Sequence, residues 1–267
     1  MDQQSKVAVV GAGIMGEALI AALISSGVNP ELITISEKRA DRSAELIAKY
    51  SIKQASLATN VAAADALLLV VKPQDMAGVL EEIKGSIKPT AVVITFAAGK
   101  TISFISNGLG TGNPVVRVMP NTPTMVGAGM AAASMGPGVT AAHKQFVLDF
   151  LAATGKVIEV AEDLQDAVTA TSGSGPAYFF AFVEAMVAGA KELGLSEADA
   201  TTLTVQTIVG AAKLLDESGK SATTLRENVT SPNGTTAAAL ASFASSDLNS
   251  MVAKAMKAAS GRSQELA

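Results

Sequence analysis

The sequence predicts an α/β chain in which a doubly wound parallel sheet is followed by an all-α region. Three observations carry this. A Val-rich run leads straight into a glycine turn and a helix-forming stretch. Further apolar runs of strand length then alternate with helical periodicity. After about Glu162 the strand pattern stops, and the remainder is helical sequence rich in Ala, Met and Thr.

The first unit of this pattern is Lys6 to Val10, the turn GAGIMG from Gly11 to Gly16, and the helical stretch EALIAALISSG. Each glycine meets a different demand. Gly11 allows a tight turn, Gly13 lets the backbone approach a pyrophosphate, and Gly16 lets the helix pack closely on the strand, while the helix start at Ile14 and Met15 faces the phosphates. A lone glycine fingerprint also fits a purely structural turn. The flanking strand and helix favour a Rossmann-type dinucleotide site.

The next strand, Leu32 to Ser36, ends about where such a unit places its ribose-reading residue, roughly 20 residues past the fingerprint. Ser36 with Lys38 and Arg39 suits a 2′-phosphate, whereas Glu37 suits a free ribose hydroxyl, so NADPH is favoured and NADH is possible. The cluster Lys38, Arg39, Asp41 and Arg42 also reads as an ordinary solvated helix start.

Later strands are read at Ala66 to Val71, Ala91 to Phe96, Val115 to Val118 and Val157 to Val160, with helices at Asp75 to Ile87 and Thr140 to Ala153. Loops leaving the strands' carboxyl ends line the cofactor crevice of such a sheet. They hold Lys72 and Pro73, Ala97 to Gly99, and Met119 to Pro123. The division is placed at 161/162, giving a nucleotide-binding domain over residues 1–161 and a helical domain over residues 162–267. In the helical domain Gly175 and Pro176 start a helix through about Leu193, Ser196 caps another to about Ser218, and further helices start at Thr235 and Asp247. Many Ala and Gly positions imply close helix packing, completed by a second subunit.

Within the helical domain, Leu225 to Leu240 reads LRENVTSPNGTTAAAL. Pro232, Asn233 and Gly234 break the preceding run, and Thr235 and Thr236 open an Ala-rich helix whose first amides lack intrahelical acceptors. Such a turn can dock a small carboxylate, and it can equally be a Ser/Thr-capped helix start.

Composition narrows the function. A net charge of -4, with no basic stripe, argues against nucleic acid. The absence of Cys excludes disulfides, thiolate catalysis and Cys-based metal sites, and fits a reducing cytoplasm. The apolar runs are too short for a membrane span, and MDQQSKV enters the first strand directly, without room for a signal sequence.

Taken in order, VAVVGAGIMGEAL, VKPQ (Val71 to Gln74), FAAG (Phe96 to Gly99), VVRVMPNTP (Val115 to Pro123), SGSGPAY (Ser172 to Tyr178) and LRENVTSPNGTT resemble the blocks of the pyrroline-5-carboxylate reductase family over essentially the whole chain. The last two are the most specific. The resemblance implies reduction of a cyclic imino acid to L-proline by NAD(P)H in a cytoplasmic homo-oligomer, with the all-α region as its dimerisation domain. It implies a carboxylate cradle of Ser231, Asn233, Gly234, Thr235 and Thr236, with the Thr236 hydroxyl near the ring nitrogen. It also implies an acidic residue near that nitrogen at Glu217, for which an exposed helix-end carboxylate is the alternative. Asn121 and Pro123 with Ala97 and Ala98 resemble the nicotinamide loops, and Lys72 the adenosine side of the cofactor, for which a solvated strand-end Lys is the alternative.

The chemistry agrees with what the chain lacks. A protonated imine already carries the charge that hydride removes, so orientation and a carboxylate clamp suffice. The single His, His143, reads as a surface residue. Two positions depart from the family pattern: Asn233 stands where Gly is common, and Phe96 where a small hydroxyl residue is. A β-hydroxyacid dehydrogenase-like enzyme would need a Lys base beside Gly175 to Tyr178, and none is there. A non-catalytic NADP-binding regulator should lose the substrate turn first, yet Ser231, Thr235 and Thr236 are present.

Overall fold

The computed structural model describes residues 4–266, so Met1 to Gln3 of the segment read as entering the first strand, and Ala267, lie outside it. The strands are β1 (Val7–Val10), β2 (Ile33–Ser36), β3 (Lys53–Gln54), β4 (Ala66–Leu69), β5 (Val92–Thr95), β6 (Val115–Met119), β7 (Gly129–Met135) and β8 (Gly155–Glu159). The helices interleaved with them are α1 (Ile14–Ser25), α2 (Ala40–Tyr50), α3 (Leu57–Ala63), α4 (Met76–Ile83), α5 (Ile102–Leu109) and α6 (Ala141–Ala152). After the sheet come α7 (Gln165–Val168), α8 (Gly175–Glu192), α9 (Glu197–Glu217), α10 (Ala222–Asn228), α11 (Thr235–Ser245) and α12 (Leu248–Glu265).

One sheet holds all these strands in the order β3-β2-β1-β4-β5-β6-β7-β8. Neighbours are parallel except β6 and β7. Successive side chains point to opposite faces, and both faces are covered, which explains the continuous apolar runs. Val7 and Val9, with Leu68 and Ile94, pack under Leu19, Leu23 and Phe150 on one side. Ala8 and Val10, with Leu67, Leu69 and Val93, pack under Met76, Leu80 and Ile105 on the other.

Strand β7 was not expected from the sequence. Its residues, GMAAASM, have low strand propensity, and packing explains why they are small. A Cβ at Gly129 would collide with Thr124, and one at Gly155 with the Gly129 carbonyl, while Ala131 and Ala133 lie in the core with Phe146 and Phe150. The link from β6 is too short for a crossover, so β7 returns antiparallel. The helix read as Asp75 to Ile87 begins instead with a 3-10 turn, Pro73–Asp75, and its α-helical portion ends at Ile83, ahead of Gly85 at φ 75.

The chain forms two compact units, residues 4–174 with 258–266, and Gly175–Lys257. This differs from the division read at 161/162. Gln165 is fully buried, its Nε2 donating to the Ala132 carbonyl (3.2 Å) and to Ser134 Oγ (2.9 Å), which ties α7 to β7. A π-turn, Thr169–Gly173, then leads to Gly175. The last turns of α12 also belong to the first unit.

In the second unit only Gly175, Ala200 and Thr204 are buried. Phe179, Phe180, Leu193 and Met251 are all more than half exposed. Apolar surface on this scale marks a docking face rather than a finished exterior.

Candidate active site

Because β1, β2, β4, β5 and β6 run parallel, the loops after them share one edge of the sheet, and the strand order reverses between β1 and β4. The three turn glycines behave differently there. Gly11 has φ 85, donates its N–H to the Ser36 carbonyl at 3.0 Å, and has the Val70 carbonyl 2.9 Å from where a Cβ would stand. At Gly13 a Cβ would meet nothing within 4 Å, leaving the backbone open to a ligand. At Gly16 it would collide with the Gly11 carbonyl oxygen. Gly13 is the N-cap of α1 and supplies no side-chain cap, so the amides of Ile14, Met15 and Gly16 lack intrahelical acceptors. These residues fit a pyrophosphate.

The Ala12 peptide, at the centre of the turn, is held from both ends. Its N–H donates to Glu37 Oε2 at 2.9 Å and its carbonyl accepts from Arg42 Nε at 3.2 Å. Arg42 is not the solvated cation that its charge cluster suggests: its side chain is 12% exposed and pairs with Glu17 and, at 2.7 Å, with Glu45. Glu17 also accepts from Lys49 at 2.8 Å and Tyr50 Oη at 3.1 Å. Lys49, against the opposing effect of burial and together with Arg42 and Tyr50, holds the Glu17 carboxyl down to about 2 from an ordinary 4.5. A depressed carboxyl stabilises the fold fully above its unfolded value and loses that contribution as pH falls toward the folded one. Glu17→Gln should therefore lower stability by about 1 kcal/mol at neutral pH, where solvent still screens the cluster, and flatten acid destabilisation between pH 4.5 and 2. Denaturant melts at several pH values check this.

At the end of β2, Ser36 is not free for a phosphate. Its hydroxyl donates to the Ala55 carbonyl at 3.2 Å and accepts from Asn60 Nδ2 at 3.0 Å. Glu37 is turned inward: burial pushes its carboxyl up, but the Ala12 and Arg39 amides and the Arg39 guanidinium outweigh this and hold it below its usual range. Lys38 and Arg39 face solvent, Arg39 Nε lying 3.5 Å from Glu37.

Along the same edge, Val71 and Pro73 are half-buried and Lys72 is exposed. Ala97 is buried and Ala98 half-buried, and Gly99 has φ 75. The Phe96 ring is buried in the core beneath α1 and α6, so its substitution is a matter of core packing. Asn121 acts as a bracket: its Oδ1 accepts from the Met130 N–H at 2.8 Å and its Nδ2 donates to Ser172 Oγ at 3.2 Å, joining VVRVMPNTP to SGSGPAY. His143 is half-buried in the capping box of α6, its ring accepting from the Thr140 N–H.

In the second unit, Thr235 and Thr236 are the first residues of α11, behind Gly234 as N-cap. Ser196 and Ser221 cap α9 and α10 with their hydroxyls, whereas α11 has no side-chain cap. Asn233 takes φ 60, the left-handed conformation that Asn tolerates best after Gly. A Cβ on Gly234 would collide with Ser231 Oγ, so the Ser231 hydroxyl lies against the N-cap of α11, whose first-turn amides have no side-chain cap. Glu217 is the last residue of α9 and pairs with Lys213 at 3.8 Å on the same helix, both largely exposed.

A doubly wound sheet with an open glycine turn at its switch point defines a Rossmann-type nucleotide-binding fold. Residues 6–99 match the family model described as NADP oxidoreductase coenzyme F420-dependent, and residues 162–266 match pyrroline-5-carboxylate reductase dimerisation. Pyrroline-5-carboxylate reductase of Corynebacterium melassecola is 40% identical, covering 97% of this chain and 98% of its own. Among solved structures, a pyrroline-5-carboxylate reductase from Coxiella burnetii superposes with a TM-score of 0.90 at 35% identity, covering 99% of each chain. A Plasmodium falciparum pyrroline carboxylate reductase with NADP bound gives 0.88 at 27% identity, covering 100% of this chain and 99% of its own. The chain belongs to the pyrroline-5-carboxylate reductase family. Among the described residues, no helix is long and apolar enough to cross a membrane.

Proposed function

We propose that this protein reduces L-1-pyrroline-5-carboxylate to L-proline, the last step of proline biosynthesis, as a cytoplasmic homodimer or higher oligomer that prefers NADPH and accepts NADH. The observation that carries the reading is family membership over the full chain together with an uncapped hydroxyl and amide turn at Ser231 to Thr236. Functionally, residues 1–161 serve the cofactor and 162–267 serve the substrate and dimerisation. The exposed apolar side chains of the second unit supply the dimer face. Metals, nucleic acid and membranes have no role in the proposal.

Each segment of the chain has a task. Gly11, Gly13, Ile14, Met15 and Gly16 hold the pyrophosphate against the start of α1. Val71, Lys72 and Pro73 border the adenosine side, and Ala97, Ala98, Gly99 and Asn121 border the nicotinamide. When bound, the reduced cofactor supplies a hydride to the imine carbon. The amides after Gly234, with Ser231, Asn233 and Thr235, clamp the substrate carboxylate and fix the ring's orientation. The Thr236 hydroxyl hydrogen-bonds the ring nitrogen, and hydride addition to the protonated imine leaves that nitrogen a secondary amine with no further proton required. Glu217 supports the positive charge on that nitrogen. Reduced cofactor oxidation that depends on pyrroline-5-carboxylate, with proline as product, tests the reading. Cofactor binding without turnover would overturn it in favour of a regulator.

Cofactor choice rests on Lys38 and Arg39, which face solvent while Glu37 is drawn onto the turn; the Ser36 hydroxyl, bonded to Ala55 and Asn60, takes no part. Glu37→Gln keeps an acceptor for the Ala12 amide and removes a negative charge near the 2′-phosphate. The ratio of kcat/KM for NADPH to that for NADH should rise about fivefold, or about 1 kcal/mol.

A further inference from the structure

The loop Ala97 to Thr101 leaves β5 on the cofactor edge, and it is held by residues far from it in sequence. Gly99 lies directly beneath the C-terminal end of α12. A Cβ there would stand 2.6 Å from the Ser263 carbonyl oxygen and 2.6 Å from Leu266 Cβ. With φ 75 as well, this position admits only glycine. The tail is fastened in turn. Ser263 is 2% exposed, and its hydroxyl donates to Asp166 Oδ1 at 2.7 Å.

The far end of the same loop is fastened too. The Ile102 N–H, which opens α5, donates to Glu162 Oε1 at 2.6 Å. Both carboxylates meet one cation: Arg117, on β6 and 5% exposed, lies 3.5 Å from Glu162 and 3.5 Å from Asp166. A buried guanidinium needs such partners, and a carboxylate left without its cation is costly, so the cluster works as a unit. Arg117 thereby couples the tail that covers Gly99 to the carboxylate that anchors the loop's exit. Neither fastening belongs to the cofactor turn or the substrate turn.

We propose that the C-terminal tail is a latch on the Ala97 to Thr101 loop, and that Ser263 and Arg117 are positioning residues that hold this loop for the nicotinamide. The idea rests on the nicotinamide role of Ala97 to Gly99 proposed above. Misplacing a reacting group by an ångström has large kinetic consequences, so a small slackening of the loop is visible in rate well before the fold is lost.

The experiment uses the full-length protein, Ser263→Ala, Ser263→Thr, and a chain ending at Gln264 that removes Leu266. Each is measured for NADPH binding by nicotinamide fluorescence, for kcat and KM, for the isotope effect with 4-deuterated NADPH, and for melting temperature. Ser263→Ala and the shortened chain should weaken NADPH binding about fivefold and lower kcat about tenfold, with a larger isotope effect, unchanged KM for the imine and near-normal melting. Ser263→Thr, which keeps the hydroxyl, should recover most of both. NADPH binding and kcat within twofold of wild type in both weakened variants would overturn the latch, as would loss of melting temperature in proportion to activity. A wild-type protein that binds NADPH but does not turn over would instead overturn the proposed reaction, and the fluorescence titration would still test the latch.

Discussion

Replacing Thr236 by alanine is expected to lower kcat/KM for pyrroline-5-carboxylate by about a hundredfold while leaving NADPH affinity unchanged. The residue is the second of α11 and half-buried, so its hydroxyl does not serve as the helix's cap. Losing it removes the proposed bond to the reacting nitrogen without disturbing the turn, and melting should shift little. Thr236→Ser should restore most of the rate. In the proposed carboxylate clamp, Ser231→Ala and Thr235→Ala should instead raise KM about tenfold with smaller changes in kcat, because such an interaction is made equally in ground and transition states. Rates for Thr236→Ala within threefold of wild type would overturn the proposed bond between this hydroxyl and the ring nitrogen. Glu217 is the next group to test, since its position at the end of α9 with Lys213 leaves its carboxylate accessible.

Local rules explain what was legible in the sequence. The succession of strand, glycine turn and helix arises from residues adjacent in the chain, and the Ser196 and Thr140 caps lie at the helix starts that their hydroxyls suggest. The features that were not legible depend on residues distant in sequence. Strand β7 is Ala-rich because Phe146 and Phe150 lie over it, and nothing within GMAAASM reports that. Arg42 reads as a surface charge until Glu17 and the Ala12 carbonyl, far away in sequence, are seen to surround it. Ser36 reads as a free hydroxyl because Ala55 and Asn60 reach it only through the sheet. The unit boundary moves past Ser174 because Gln165 and Asp166 are claimed by β7 and Arg117. At the substrate turn, the left-handed Asn233 could be anticipated from residue type, since the backbone requirement is local.

A contrast within the glycine turn gives the second large effect, because the same substitution has opposite structural consequences three residues apart. Gly13→Ala adds a methyl where nothing lies within 4 Å, at an ordinary φ of -65, so the protein should fold with a loss of about 1 kcal/mol or less. That methyl stands on the backbone face left for the pyrophosphate, and affinity for NADPH should fall more than about tenfold. Gly16→Ala pushes instead into the Gly11 carbonyl. Gly11 has little room to yield, being bonded to Ser36 and crowded by Val70. Overpacking of this kind costs about 2–3 kcal/mol, so melting and NADPH binding should fall together. Calorimetric melting beside fluorescence titration separates the two variants. If Gly13→Ala binds NADPH as wild type does, the open face of the turn is not where the pyrophosphate lies. If Gly16→Ala melts normally, α1 can move away from β1 and the packing role of Gly16 fails.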